Sequence, residues 1–368
     1  MFSFIEDPDN AIEAVTQFAS LIHGGRVGTV SIDQHKCTQI DLCAEAVTSA
    51  LAVEARERLK VRFRGILPAD EQQRAIIIAS GLPRHLGVNL PEQSDFLTFG
   101  LVHGRRRKES AYESSERELV STSLTEYVNQ CVGRYRRRLM PRAEEFIASI
   151  VGEVIGNAED HSRQPNWWAA AYLHHQADSG FGDCHITLFN FGQTVFESLQ
   201  YLPQKSLLRT QIESLVGTHQ KRGLFHKDWT PENLWTLYAL QEGVSRFNTG
   251  KAMLASDRGQ GTADMIEFFQ RLGQSEAAVA KPKMCFVSGK THVVFDGNYT
   301  MERRETSSGT RRRILAFNKE NDLGQKPDFR AVRPLNHYFP GTLISLRFYL
   351  DADHLKKIGD TTDDSFRS

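Results

Sequence analysis

Cysteine is scarce in this sequence, and its placement argues against two kinds of cross-linked fold. Only five cysteines occur in 368 residues, and no two of them form a C-x-x-C pair. An odd and scattered set does not suit a disulfide framework, and zinc sites ordinarily use the paired spacing. The pattern fits a reducing compartment, so we expect a cytoplasmic protein.

Long apolar runs are missing as well. No segment approaches the roughly 20 apolar residues that a membrane-spanning helix requires, so we expect no membrane association. The segment Met1 to Asp9 reaches acidic side chains almost at once and has no basic, apolar leader pattern. We therefore expect no signal peptide.

A net charge is also absent, because Lys+Arg and Asp+Glu both number 45. No overall field favours nucleic acid or an anionic surface, and we expect no nucleic-acid partner. Basic runs at 103–108 and 133–138 leave two interpretations open. They either coat a solvated linker and a helix face, or they form a patch that contacts phosphates.

The sequence does contain a predicted helix, ending at residue 161, with two distinct faces. Its apolar positions recur at helical spacing and share one face: Ile147, Val151, Val154 and Ala158. Glu153, Asn157 and Asp160 recur on another face. A carboxylate there can orient a water or take its proton, and a carboxamide oxygen suits Mg²⁺. The alternative is an ordinary amphipathic helix whose polar stripe faces solvent.

Two glycine motifs and a late strand follow. A predicted strand at 185–191 runs into Asn190-Phe191-Gly192-Gln193-Thr194, here named the first glycine box. Gly259-Gln260-Gly261-Thr262, the second glycine box, opens an amphipathic helix, whose free amides suit anionic phosphate. Gly341-Thr342 opens a further predicted strand. Any one of these motifs alone is more often an ordinary turn.

Taken in order, the pattern Glu153-x-x-x-Asn157-Ala-x-Asp160-His161, the two glycine boxes and the Gly-Thr strand resemble the GHKL superfamily of gyrase, heat-shock chaperones, histidine kinases and mismatch-repair ATPases. The resemblance covers residues 125–350. It implies an α/β (α+β) Bergerat fold, a two-layer sandwich with a mixed, largely antiparallel sheet, and it implies ATP and Mg²⁺ as ligands. Three positions depart from the family pattern, with Asn190 in place of Asp, Thr194 in place of Gly and Thr262 in place of Leu.

The resemblance also implies roles for individual residues. Glu153 would be the general base, and Asn157 would coordinate Mg²⁺. Asn190 and Gly192 would hold adenine. The other implied nucleotide contacts are Asp160, His161, Thr194, Arg246, Lys251, Gly259, Gly261, Thr262 and Thr342. Arg246 and Lys251 would belong to a lid over the phosphates, but ordinary surface charge explains them equally well, and His161 can instead be a core histidine.

The chain divides by composition into four predicted segments. Residues 1–102 alternate helices and strands and weakly resemble a STAS domain of anti-sigma-factor antagonists. Residues 103–123 are charged and are predicted to be a linker. Residues 124–352 would form the ATP-binding domain, and 353–368 a polar tail.

Three functions stay open at this level. Glu153 favours an ATPase whose nucleotide cycle switches a conformation or a partner. The STAS-like region favours an anti-sigma-type protein kinase acting on Ser or Thr. The three departures from the family pattern favour a non-catalytic nucleotide-sensing module. Each predicts a protein partner or a homodimer in addition to ATP.

Overall fold

The computed structural model describes most of the chain. The described residues are 1–25, 28–91, 94–105, 115–161, 166–176, 181–222, 229–244, 261–271, 281–305 and 311–351. The helices are α1 Pro8–His23, α2 Leu42–Leu59, α3 Glu71–Ser80, α4 Leu82–His85, α5 Glu116–Gly133, α6 Pro141–His161, α7 Val195–Leu199, α8 Leu207–Arg222, α9 Pro231–Ala239 and α10 Gly261–Arg271. The strands are β1 Thr29–Asp33, β2 Arg62–Ile66, β3 Phe96–Arg105, β4 Asn166–Gln176, β5 Phe181–Phe191, β6 Lys283–Phe295, β7 Glu302–Glu305, β8 Arg311–Ile314 and β9 Val332–Asp351.

A five-stranded sheet in the order β3-β4-β5-β9-β6 forms the centre of this α+β fold. All four pairs of neighbouring strands are antiparallel. β5 is buried without interruption from Cys184 to Asn190, as expected for a strand covered on both faces. Two smaller sheets stand apart from it, the parallel pair β1-β2 and the antiparallel pair β7-β8.

One face of the sheet packs on α5, α6 and the helices that follow β5. Leu188 of β5 and Ile344 of β9 belong to this core, together with Ile155 of α6. Because side chains alternate along a strand, the residues between them belong to a second core on the opposite face. Phe189 and Leu343 pack there against Val47 of α2 and its neighbours.

The N-terminal elements therefore form a third layer on the sheet, which the expected two-layer sandwich does not include. His292 of β6 makes a 3.0 Å hydrogen bond through Nε2 to the backbone oxygen of Phe4. The Asn336 amide of β9 donates to Asp9 at 2.7 Å. Helix α2, which packs on β4 and β5, is buried on most of its circumference, which explains why it is rich in alanine. The STAS-like character of this region stays a prediction.

The predicted boundary after residue 102 falls inside a strand. Residues 96–105 form β3, which pairs with β4 at the edge of the central sheet. The predicted linker, 103–123, also contains the first turns of α5, which begins after a capping box formed by Ser115 and Glu118. Such reciprocal capping starts a helix even where the composition is polar and charged. The predicted tail lies outside the described residues.

None of the described helices combines the length and the hydrophobicity that crossing a membrane requires.

Candidate functional site

Helix α6 presents its two stripes to different surroundings. Ile147, Val151 and Ile155 are buried in the core, because they face the sheet and α5. Glu153 and Asn157 are exposed on the side that faces α10. α6 and α10 are neighbours, and Phe146 and Phe268 meet edge-to-face with ring centroids 5.9 Å apart. The polar face of α6 therefore borders the helix that the second glycine box opens.

A cavity of about 120 Å³ lies between α6, α9, the start of α10, the end of β5 and the middle of β9. Five of the residues selected from the sequence line it: Asn157, Asn190, Thr194, Thr262 and Thr342. They come from four separate parts of the chain, since Asn190 and Thr194 share the first glycine box, and the fold brings them around one space. Among the described residues, no charged side chain lines this cavity. Its interior is suited to a neutral group that forms hydrogen bonds.

Among these five residues, Asn190 is buried and yet has a side chain that forms no hydrogen bond within the described part of the chain. It is only 4% exposed, and it stands opposite Thr342 where β5 pairs with β9. The Thr342 hydroxyl lies 3.2 Å from the hydroxyl of Ser288, whereas the Asn190 carboxamide makes no hydrogen bond to any described residue. Buried polar groups are nearly always paired, so this carboxamide is available to a ligand.

The rest of the first glycine box turns the chain from β5 into α7. Gly192 has a φ of +135°, and its amide donates to the Pro340 carbonyl at 3.0 Å. The Thr194 hydroxyl accepts a hydrogen bond from the Glu197 amide at 3.2 Å and caps α7. Thr194 therefore lines the cavity while its hydroxyl stabilises a helix, a role that the sequence analysis did not assign to it.

Gly261 brings the second glycine box against the central helix. A Cβ atom at Gly261 would lie 2.4 Å from the Cβ of Glu153 and 2.7 Å from its Oε2 atom. Only glycine allows this approach, because Cβ contacts below 3.0 Å essentially never occur. The first turn of α10, whose amides have no partner within the helix itself, thus lies beside the carboxylate that was expected to act as a base.

Arg313 of β8 holds α10 in this place, and sequence reasoning did not identify it. Its guanidinium donates to Asp264 and to Glu267 of α10, the latter at 2.9 Å. It also pairs with Glu242, just beyond α9, at 2.9 Å. Burial lowers the pKa of Arg313, but the three carboxylates outweigh burial and raise it above its ordinary value. The arginine run at 311–313 was the available signal, but nothing in it showed which of the three is buried.

Several predicted residues are not part of this assembly, or cannot be placed in it. Asp160 is half-buried and does not line the cavity. Arg246, Lys251 and Gly259 lie outside the described residues, as does the side chain of His161. Conversely, the cavity is also lined by Gln193, inside the first glycine box, and by Val244, which sequence reasoning had not selected.

No family model, curated protein or solved structure matches the chain.

The described residues contain no group of three or more His, Cys, Asp or Glu side chains that could hold a metal ion. The oxygen groups on the polar face of α6 at this site are the Asn157 carboxamide, which lines the cavity, and the Glu153 carboxylate, which lies against α10. Such a sparse oxygen set fits Mg²⁺, which keeps several waters and completes its shell with substrate phosphates.

Proposed function

We propose that this protein binds ATP with Mg²⁺ in the cavity beside α6 and hydrolyses it, and that nucleotide turnover switches its conformation or a partner. One observation carries the proposal. Residues selected for a single ligand, Asn157, Asn190 and Thr342, lie up to 185 positions apart in the chain (342 − 157) and yet line one cavity. The Bergerat fold is part of this proposal, and the antiparallel sheet with α6 and α10 on the cavity face supports it.

The interior and the rim of the cavity suit different parts of a nucleotide. The uncharged interior with a free carboxamide at Asn190 suits a base, which is neutral and has donors and acceptors on its edge. The rim at Thr262 belongs to the first turn of α10, an 11-residue helix. Amides and the positive end of a helix dipole favour anions there, so the phosphates belong at this end.

Glu153 and Asn157 supply the groups that hydrolysis needs. The exposed Glu153 carboxylate can orient a water and hold its proton, and Asn157, one turn further along α6, offers an oxygen to a metal ion. Mg²⁺, when bound, would neutralise charge on the phosphate oxygens. The contact between Gly261 and Glu153 keeps the carboxylate next to the phosphate end of the cavity.

Two measurements test the proposal in sequence. ATP should raise the unfolding temperature, and more so with Mg²⁺, because a ligand of the native state stabilises that state. Phosphate release should fall by about a hundredfold or more in Glu153→Gln, since a positioned base contributes at least this factor. Glu145→Gln, which neutralises another exposed carboxylate of α6, is the matched control and should turn over normally.

The outcomes separate binding from hydrolysis. If millimolar ATP leaves the unfolding temperature unchanged, the nucleotide site is refuted. If ATP binds but Glu153→Gln hydrolyses it at the wild-type rate, Glu153 is not the base. If ATP binds and wild type releases no phosphate, the protein is a nucleotide-sensing module rather than an ATPase.

A further inference from the structure

Asn190 has an unusual combination of burial and freedom. The residue is only 4% exposed, and it lines the cavity. Among the described residues, no donor or acceptor pairs with its carboxamide. Leaving such a group unpaired is costly, so its hydrogen bonds are expected to come from what the cavity binds.

The lack of a partner also means that nothing fixes which way the carboxamide is turned. A half-turn about its terminal bond exchanges the oxygen, an acceptor, with the NH₂ group, a donor. The hydroxyl of Thr342, the residue opposite Asn190 on β9, lies within hydrogen-bond distance of Ser288 and makes no hydrogen bond to the carboxamide. Asn190 can therefore offer an acceptor or a donor to the same point of the cavity at similar cost.

From this geometry we infer that the site accepts both 6-aminopurine and 6-oxopurine nucleoside triphosphates, and so is not restricted to ATP. The inference rests on the proposed function. Adenine presents a donor at its 6-amino group beside an acceptor at N1. Hypoxanthine and guanine present an acceptor at O6 beside a donor at N1. One orientation of the carboxamide complements each edge, whereas an ionised carboxylate at this place has acceptors only and would match the 6-amino group alone.

Calorimetry with the magnesium complexes of ATP and ITP tests this inference at pH 8. ITP is the matched ligand, because it differs from ATP only at position 6 and in the proton on N1. Wild type should bind the two nucleotides within about threefold of each other. Asn190→Asp, which keeps the shape and removes the donor, should weaken ITP relative to ATP by roughly ten- to hundredfold, the cost of an unpaired buried acceptor.

The buried carboxylate of Asn190→Asp could prevent folding, which far-UV circular dichroism would reveal. Asn190→Ala therefore provides a second variant. It should weaken both nucleotides by similar factors and leave their ratio near that of wild type. A wild-type preference for ATP above about thirtyfold would overturn the inference while leaving the ATP site intact. An unchanged ratio in Asn190→Asp, or unchanged affinities in Asn190→Ala, would also overturn it. If wild type binds neither nucleotide, the proposed function fails as well.

Discussion

We expect the free energy of unfolding to fall as the pH rises from mildly acidic to mildly basic values. Replacing Glu45 by glutamine should remove a large part of this fall. Glu45 lies on α2 with no solvent exposure. One carboxylate oxygen accepts a hydrogen bond from Gln34 at 2.9 Å, and the other has no hydrogen-bond partner among the described residues. Burial, opposed only in part by Gln34, raises the pKa of Glu45 from 4.5 to about 7.

The raised pKa fixes the sign and the size of the effect. The folded protein keeps this proton up to about pH 7, whereas the unfolded chain releases it near pH 4.5. The stability that Glu45 contributes is therefore complete below pH 4.5 and is lost as the pH rises through 7. A difference of this size corresponds to about 3 kcal/mol, because one pKa unit is worth about 1.4 kcal/mol, and most of it falls between about pH 5 and 8.

Urea unfolding of wild type and Glu45→Gln across this pH range provides the measurement. Glutamine mimics the protonated carboxyl, so the stability of the variant relative to wild type should increase by about 2–3 kcal/mol from pH 5 to pH 8. Glu57→Gln changes an exposed carboxylate of the same helix and should follow wild type at every pH. Parallel curves for Glu45→Gln and wild type would refute the reasoning, since Glu45 would then titrate normally in the folded state.

Two glycine substitutions test the close approaches around the cavity. Gly341→Ala would place a methyl group 2.0 Å from the backbone carbonyl oxygen of Asn190 in β5, at a φ of +144°. Urea unfolding should therefore show that the free energy of unfolding falls by at least about 3 kcal/mol. A smaller loss would mean that β5 and β9 can separate at this point. Gly261→Ala would place a methyl group 2.4 Å from the Cβ of Glu153 and should weaken ATP by roughly tenfold in calorimetry. Gly217→Ala in α8, where nothing lies within 4 Å, is the control and should bind ATP normally.

Periodicity predicts the long elements of this fold but not its edges. The predicted helix ending at residue 161 is α6, Pro141–His161, and the predicted strand at 185–191 lies within β5. The edge strand β3 was not predicted. β3 contains two glycines and a shift of register between Phe99 and Val102, which together disrupt the alternation that identifies a strand.

The cavity could be predicted only where a motif carries its own chemistry. Asn157 was selected as a carboxamide on the polar face of a predicted helix. Asn190 was selected because the end of its strand resembles the first glycine motif of the GHKL superfamily. Arg313 could not be selected, because its importance comes from carboxylates at 242, 264 and 267, which are remote in sequence. Local patterns contain no information about which distant charges a fold will bring together.

The layering of the sheet explains why the N-terminal region and the cavity belong to one structure. Along β5, Phe189 packs into the N-terminal core, and the next residue, Asn190, lines the cavity, which Phe189 also borders. The same alternation places Leu343 of β9 in that core and Thr342 at the cavity. Because a shift by one residue would exchange these faces, the packing of α1 and α2 on the sheet fixes the register on which the position of Asn190 depends. The N-terminal layer is therefore part of the scaffold that positions Asn190.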